Sequence, residues 1–114
     1  MEAIREIIYF KNHFEDFFDS LDEKTKNKVD EILYFISIIE QIPTKYLKKI
    51  VETKDLFEIR VEHRSNIYRI FCCFDEGNLV VLFNGFQKKT QKTPKNKIEK
   101  ALKIKKEYFE LKNK

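Results

Sequence analysis

Two arginines and a pair of lysines have the types and spacing to do chemistry. Arg60 and Arg69 lie on either side of a short polar turn, His63-Arg64-Ser65-Asn66, and Lys88-Lys89 follow directly on the apolar run Leu79 to Phe86. If the turn is centred between Arg64 and Ser65, Val61 faces Tyr68, Ile59 faces Ile70 and Phe57 faces Cys72, all on one apolar side. On the other side Arg60 stands opposite Arg69, with Cβ atoms about 5 Å apart. Like charges facing across a ladder destabilise it by some tenths of a kcal/mol up to about 1. Such a pair is expected where an anion is held, and lysines just past the third strand make that anion a phosphate. The competing account is that Glu58 and Glu62, two residues either side of Arg60, neutralise the pair as a solvated network.

A second turn, Asp75-Glu76-Gly77-Asn78, centred between Glu76 and Gly77, extends the polar row and places Asn84 beside Arg69. Phe71 and Phe86 flank that row. They are candidates for stacking on bases, or equally for cover by a helix. Tyr68 falls on the apolar side and reads as packing, while His13 and His63 read as ordinary surface residues.

The elements that must position these groups follow from periodicity. Ile4 to Phe10 reads as a first strand. Asn12 is the expected cap of a short helix to about Leu21 that buries Phe14, Phe17, Phe18 and Leu21. Asp22 is the expected cap of the next, where Val29, Ile32, Leu33, Ile36 and Ile39 recur at helical spacing and Pro43 makes the end. Tyr34, Phe35 and Ile38 widen its apolar surface, so it is buried on two sides or covered by a partner chain. Thr44 to Lys54 reads as a basic connector with a short turn. Leu56–Glu62, Ile67–Phe74 and Leu79–Phe86 then form an antiparallel meander. Thr93 as cap and Pro94 at the first helical position open a basic C-terminal helix carrying Ile98, Ala101, Leu102, Tyr108 and Phe109.

Composition bounds the class. With 114 residues, 42% hydrophobic and 14% aromatic, the chain is expected to fold as one domain, residues 1–114. The formal net charge of +4 is asymmetric: residues 86–114 hold eleven Lys and three Glu, a net +8, so residues 1–85 carry a net −4. A basic end suits nucleic acid or an acidic protein segment, or a solvated helix face. Cys72 and Cys73 are strand neighbours pointing to opposite faces, so neither a disulfide nor a zinc site is readable, and no metal or cofactor is expected. Without a signal-peptide layout or an apolar run of about 18 residues, the chain is expected to be cytoplasmic and off the membrane.

Taken together, Leu56-Phe57-Glu58-Ile59-Arg60-Val61, Ile67-Tyr68-Arg69-Ile70-Phe71, the run from Val80 through Asn84-Gly85-Phe86-Gln87-Lys88-Lys89-Thr90-Gln91-Lys92-Thr93-Pro94, and Ile98-Glu99-Lys100-Ala101 resemble the phage-related, HigB-like branch of the RelE/ParE toxins of type II toxin-antitoxin systems. The resemblance covers about residues 4 to 108. Phe57 stands where relatives commonly show Trp, and Asn84 where a His is common.

The resemblance implies a small α/β (α+β) fold. An N-terminal strand and a two-helix hairpin pack on one face of a mainly antiparallel sheet of three to four strands, with a basic cleft on the other face and a C-terminal helix. It further implies that the substrate is mRNA, cut at the ribosome without metal by attack of the 2′-hydroxyl on the adjacent phosphate. Arg60, Arg69, Lys88, Lys89 and Glu58 then become the catalytic candidates, and Phe71, Asn84, Phe86, Gln91 and Lys92 the RNA contacts. The arginines would stabilise charge, with Glu58 or a lysine of lowered pKa as base. The implied partners are the ribosome and a cognate antitoxin of helix-turn-helix type. A ParE-like poison of DNA gyrase, and an inactive relative that only binds antitoxin, are the alternatives.

Overall fold

The computed structural model describes residues 2–114. In chain order the elements are β1 (Glu6–Tyr9), α1 (His13–Asp19), α2 (Glu23–Ile38), β2 (Leu47–Lys49), β3 (Phe57–His63), β4 (Asn66–Asp75), β5 (Leu79–Lys88) and α3 (Lys95–Lys112). The strands form one sheet in the order β1-β5-β4-β3-β2, with β1 parallel to β5 and every other pair antiparallel.

This is the expected α+β fold with one strand more than expected. Residues 47–49 lie in the stretch read as a basic connector, yet Leu47, Lys48 and Lys49 pair with Ile59, Glu58 and Phe57. The Arg60 N–H extends the contact by donating to Tyr46 O at 2.8 Å. Two lysines in three residues carry no strand signal of their own; pairing with β3 decides the conformation.

The helix ends show which local signals hold. Asp22 caps α2 as expected, its Oδ1 accepting the Thr25 N–H at 2.8 Å. Asn12 precedes α1 but its side chain makes no capping hydrogen bond. The helix α2 stops at Ile38, well before Pro43, because Ile39 turns extended (φ −86°, ψ 137°). There Arg5 donates to Ile36 O at 3.0 Å, Ile39 O at 2.5 Å and Glu40 O at 2.7 Å. A cation from the start of the chain thus satisfies carbonyls that the helix end leaves unpaired. At α3 the cap position falls on Pro94 and not Thr93, one residue later than expected, with no side-chain cap.

The sheet is covered on both faces. Phe14, Phe17, Val29, Ile32 and Ile36 from α1 and α2 pack on Ile59, Val61, Tyr68, Ile70, Cys72, Val80 and Leu82. On the opposite face Ala101 and Ile104 of α3 pack on Phe71, Cys73, Val81, Phe83 and Phe86. The far end of α3 is fixed by Asp75, which accepts from Tyr108 Oη and Lys112 Nζ, each at 2.8 Å.

The first hairpin has the expected register, with Val61↔Tyr68, Ile59↔Ile70, Phe57↔Cys72 and Arg60↔Arg69. The second departs from it twice. Asp75 pairs with Leu79, so the loop is the three residues Glu76-Gly77-Asn78, with Glu76 and Gly77 at φ 46° and 76°. A bulge between Ile70 and Cys72 then sets Phe71 against both Phe83 and Asn84. Each shift is one residue, so Arg69 faces Phe86 in place of Asn84, and the alternation of sides is restored.

Close approach of α1 to β5 depends on Gly85, where a Cβ would lie 2.5 Å from the Phe17 ring. Gly85→Ala should therefore lower stability by about 1–3 kcal/mol through overpacking. The measurement is the urea midpoint against the unsubstituted chain at equal m-value.

Candidate active site

Because Phe57, Ile59 and Val61 turn into the α1/α2 core, the strand alternation of β3 sends Glu58 and Arg60 to the other face. Pairing then sets the neighbours: Arg69 beside Arg60, Lys48 beside Glu58, and Lys88 beside Ile67. The helix α3 covers the β4–β5 side of this face, and next to it a cleft of about 690 Å³ remains open. Glu58, Arg60, Lys88, Lys48, Gln91 and Lys92 all line it.

Glu58, which lines the cleft, and Arg69, which pairs with it, are both buried, 6% and 5% exposed. Arg69 Nε lies 2.5 Å from Glu58 Oε2, and Arg60 Nε lies 3.7 Å from the same oxygen. One carboxylate atom thus serves two guanidinium groups. Neither contact is an aligned hydrogen bond: Glu58 Oε2, Arg60 Nε and Arg69 Nε are enclosed with no such partner among the described residues. Proximity without alignment makes these ion pairs, held by charge.

The electrostatics leave positive charge in surplus. Burial pushes the pKa of Arg69 down and Arg60 pushes the same way, against the pull of Glu58. Lys88 is also lowered, chiefly by burial and then by Arg69, with Glu58 opposing. Four cations, Lys48, Arg60, Arg69 and Lys88, lie around Glu58, with Arg60 and Arg69 paired to it and Glu52 the other carboxylate lining the cleft. The floor of the cleft suits a phosphate, as an arginine facing an arginine suggested from the sequence, and Glu58 is the neutralising partner offered by the competing account.

The other candidates divide. Gln91 and Lys92 line the cleft with Thr93, at the N-terminal end of α3. Lys89 points elsewhere, into a surface depression with Ser65, Asn66 and Thr90. Phe71 and Phe86, candidates for base stacking, are buried and stacked on each other at 5.7 Å and 23°, with Lys97 over Phe86. Both are taken up by the α3 core, the other option the sequence left open. Asn84 is 4% exposed, and its Oδ1 has no hydrogen bond among the described residues. His63 is half-buried with Nε2 enclosed, which differs from the surface residue expected. Sequence reasoning missed Lys48, and Lys49 to Glu52 on the cleft rim, because it missed β2. The available signal was charge: Lys48 faces Glu58 as an opposite-charge pair.

The fold is that of a known toxin. A free-state structure of the Escherichia coli toxin RelE, with two arginines changed to alanine, matches with a TM-score of 0.63 at 14% identity, over 90% of this chain and 97% of that one. At that identity the likeness is one of fold. The chain belongs to the family of phage-derived Gp49-like proteins, whose profile matches residues 16–106. No curated protein matches its sequence.

Removing one member of a buried ion pair costs about 3–5 kcal/mol, because the other charge is left uncompensated. Glu58→Gln should lower stability by that order and leave Arg60, Arg69 and Lys88 without a counterion. Millimolar phosphate should then raise the thermal midpoint of Glu58→Gln more than that of the unsubstituted chain. Equal phosphate effects on both proteins would show that Glu58 is not the counterion of an anion site.

Proposed function

We propose that the chain is the toxin of a toxin-antitoxin pair and acts as an mRNA endoribonuclease. The observation that carries this reading is the cleft itself, where Arg60 and buried Arg69 are both paired to Glu58 and Lys88 lines the same space. In this reading a phosphodiester enters between Arg60 and Lys88 and draws Arg60 from Glu58. The Glu58 carboxylate, released by Arg60 and still paired with Arg69, accepts the proton of the 2′-hydroxyl as the hydroxyl oxygen attacks the adjacent phosphorus. Arg60, Arg69 and Lys88 stabilise the charge that grows on the phosphorane, the largest contribution such a site makes. Lys88, with its lowered pKa, gives a proton to the departing 5′-oxygen. Lys48 and Lys92 hold the flanking backbone, and Lys89, outside the cleft, has no catalytic part. The ribosome supplies the message, and the cognate antitoxin, a helix-turn-helix protein, silences the cleft.

Arg60 is the arginine to test, since Arg69→Ala would take from buried Glu58 its closer counter-charge and leave only Arg60 at 3.7 Å. Induction in a bacterial host should yield new mRNA 5′ ends within minutes. With Arg60→Ala their rate of appearance should fall about 10²- to 10³-fold. Growth arrest with intact mRNA and broken DNA would replace the nuclease by a gyrase poison.

Lys88 predicts a pH dependence. Its lowered pKa means that the cation is lost below the usual 10.5 as pH rises, so cleavage should decline on the alkaline side before that value. In Lys88→Arg this alkaline decline should disappear from the pH–rate profile of cleavage by purified protein.

A further inference from the structure

A second cavity lies on the other side of Arg60, at the edge of the sheet. The strand β2 pairs with β3 only as far as Leu47↔Ile59, so the edge of β3 is open beyond Arg60. There Lys28 and Ile32 of α2, Lys45 and Tyr46 ahead of β2, and Arg60 and Glu62 of β3 enclose about 200 Å³. At about 30 Å³ per liquid water, that is room for a group several waters in size.

Its lining is cationic, with Lys28, Lys45 and Arg60 against Glu62. Lys45 is exposed and lies over the Tyr46 ring, and among the described residues Lys28 has only a surface pair with Glu31 at 3.6 Å. Such a surface pair contributes little, so both ammonium groups are available. Arg60 Nε is enclosed without an aligned hydrogen bond among the described residues. The backbone adds a donor: Arg60 N–H points to the β2 side, where it meets Tyr46 O, and strand alternation turns Glu62 N–H to the same edge, past the last residue that β2 pairs.

We propose that this cavity is a second phosphate subsite, which holds the backbone phosphate of a nucleotide flanking the one in the cleft. It rests on the RNA reading above. Arg60 lines both cavities, so one guanidinium stands between two successive anion positions. Lys28 and Lys45 hold the flanking phosphate by charge, with the Arg60 guanidinium and Glu62 N–H as the directional donors. Because α2 supplies Lys28 from the opposite face of the sheet, the RNA would wrap the β3 edge on leaving the cleft.

The test is fluorescence anisotropy with 2′-O-methyl RNA, which cannot be cleaved, as a dinucleotide and a hexamer over a range of salt. The proteins are the unsubstituted chain, Lys28→Gln/Lys45→Gln, and the charge-matched Lys103→Gln/Lys106→Gln on the exposed side of α3. Neutralising one phosphate contact to a single strand changes the log–log salt slope by about 0.7. For the hexamer, Lys28→Gln/Lys45→Gln should lose about that much slope and several-fold in affinity, while dinucleotide binding and the α3 control stay unchanged. Equal hexamer slopes in all three proteins would overturn the subsite and leave RNA binding in the cleft intact. Failure of the unsubstituted chain to bind either RNA at low salt would overturn the RNA reading and the subsite with it.

Discussion

The ion pair between Glu58 and Arg69 is the interaction on which the rest of the site depends. Both side chains are buried, at 2.5 Å, on a sheet face whose part beneath α3 is the apolar core of Phe71, Val81, Phe83 and Phe86. Either charge alone would be costly there, and the pair recovers its desolvation only because the two lie together. Glu58 also makes the facing of Arg60 and Arg69 tolerable, since the same Oε2 lies 3.7 Å from Arg60. The site is therefore neutralised in part and remains cationic. An incoming anion does not have to create a binding site; it has to compete with a carboxylate already present.

The cleft exists because α3 covers only part of its face. Asp75 holds the C-terminal end of the helix through Tyr108 and Lys112, and the stack of Phe71 on Phe86 fills the space beneath its N-terminal half. What remains uncovered is the part of the face where β2 and β3 run. The N-terminal end of α3 reaches the cleft with no acidic residue in its first turn, so its macrodipole adds to the positive field of the lysines. Packing and electrostatics thus come from the same helix: its apolar side closes the core and its end borders the site.

Much of this was readable from residue types. The first hairpin was legible to the residue because a symmetric polar turn joins two strands of strict apolar alternation, which leaves one register that buries Ile59, Val61, Tyr68 and Ile70 together. Asp22 was legible because its cap is local. The second hairpin was not, because two one-residue shifts lie in it. The loop centres on Gly77, which the turn residues do not distinguish from a neighbouring centre, and the bulge at Phe71 leaves no mark in an apolar run. β2 was hidden for a related reason: three residues paired to a neighbour hold no periodicity of their own.

The amino-acid sequence by itself determined which charges meet. The alternation of β3 and β4 around one turn fixes Arg60 opposite Arg69 and both opposite the core, whatever packs above them. Only the tertiary structure decided what those charges can reach. Whether Phe86 or Asn84 stands beside Arg69, whether Lys88 or Lys89 enters the cleft, and whether Phe71 is open or covered all depend on a bulge and on where a helix comes to rest. The physical reason is range. A strand pair joined by a tight turn is set by local geometry, whereas a bulge or a docked helix is set by the sum of many distant contacts, each too small to leave a pattern in the chain.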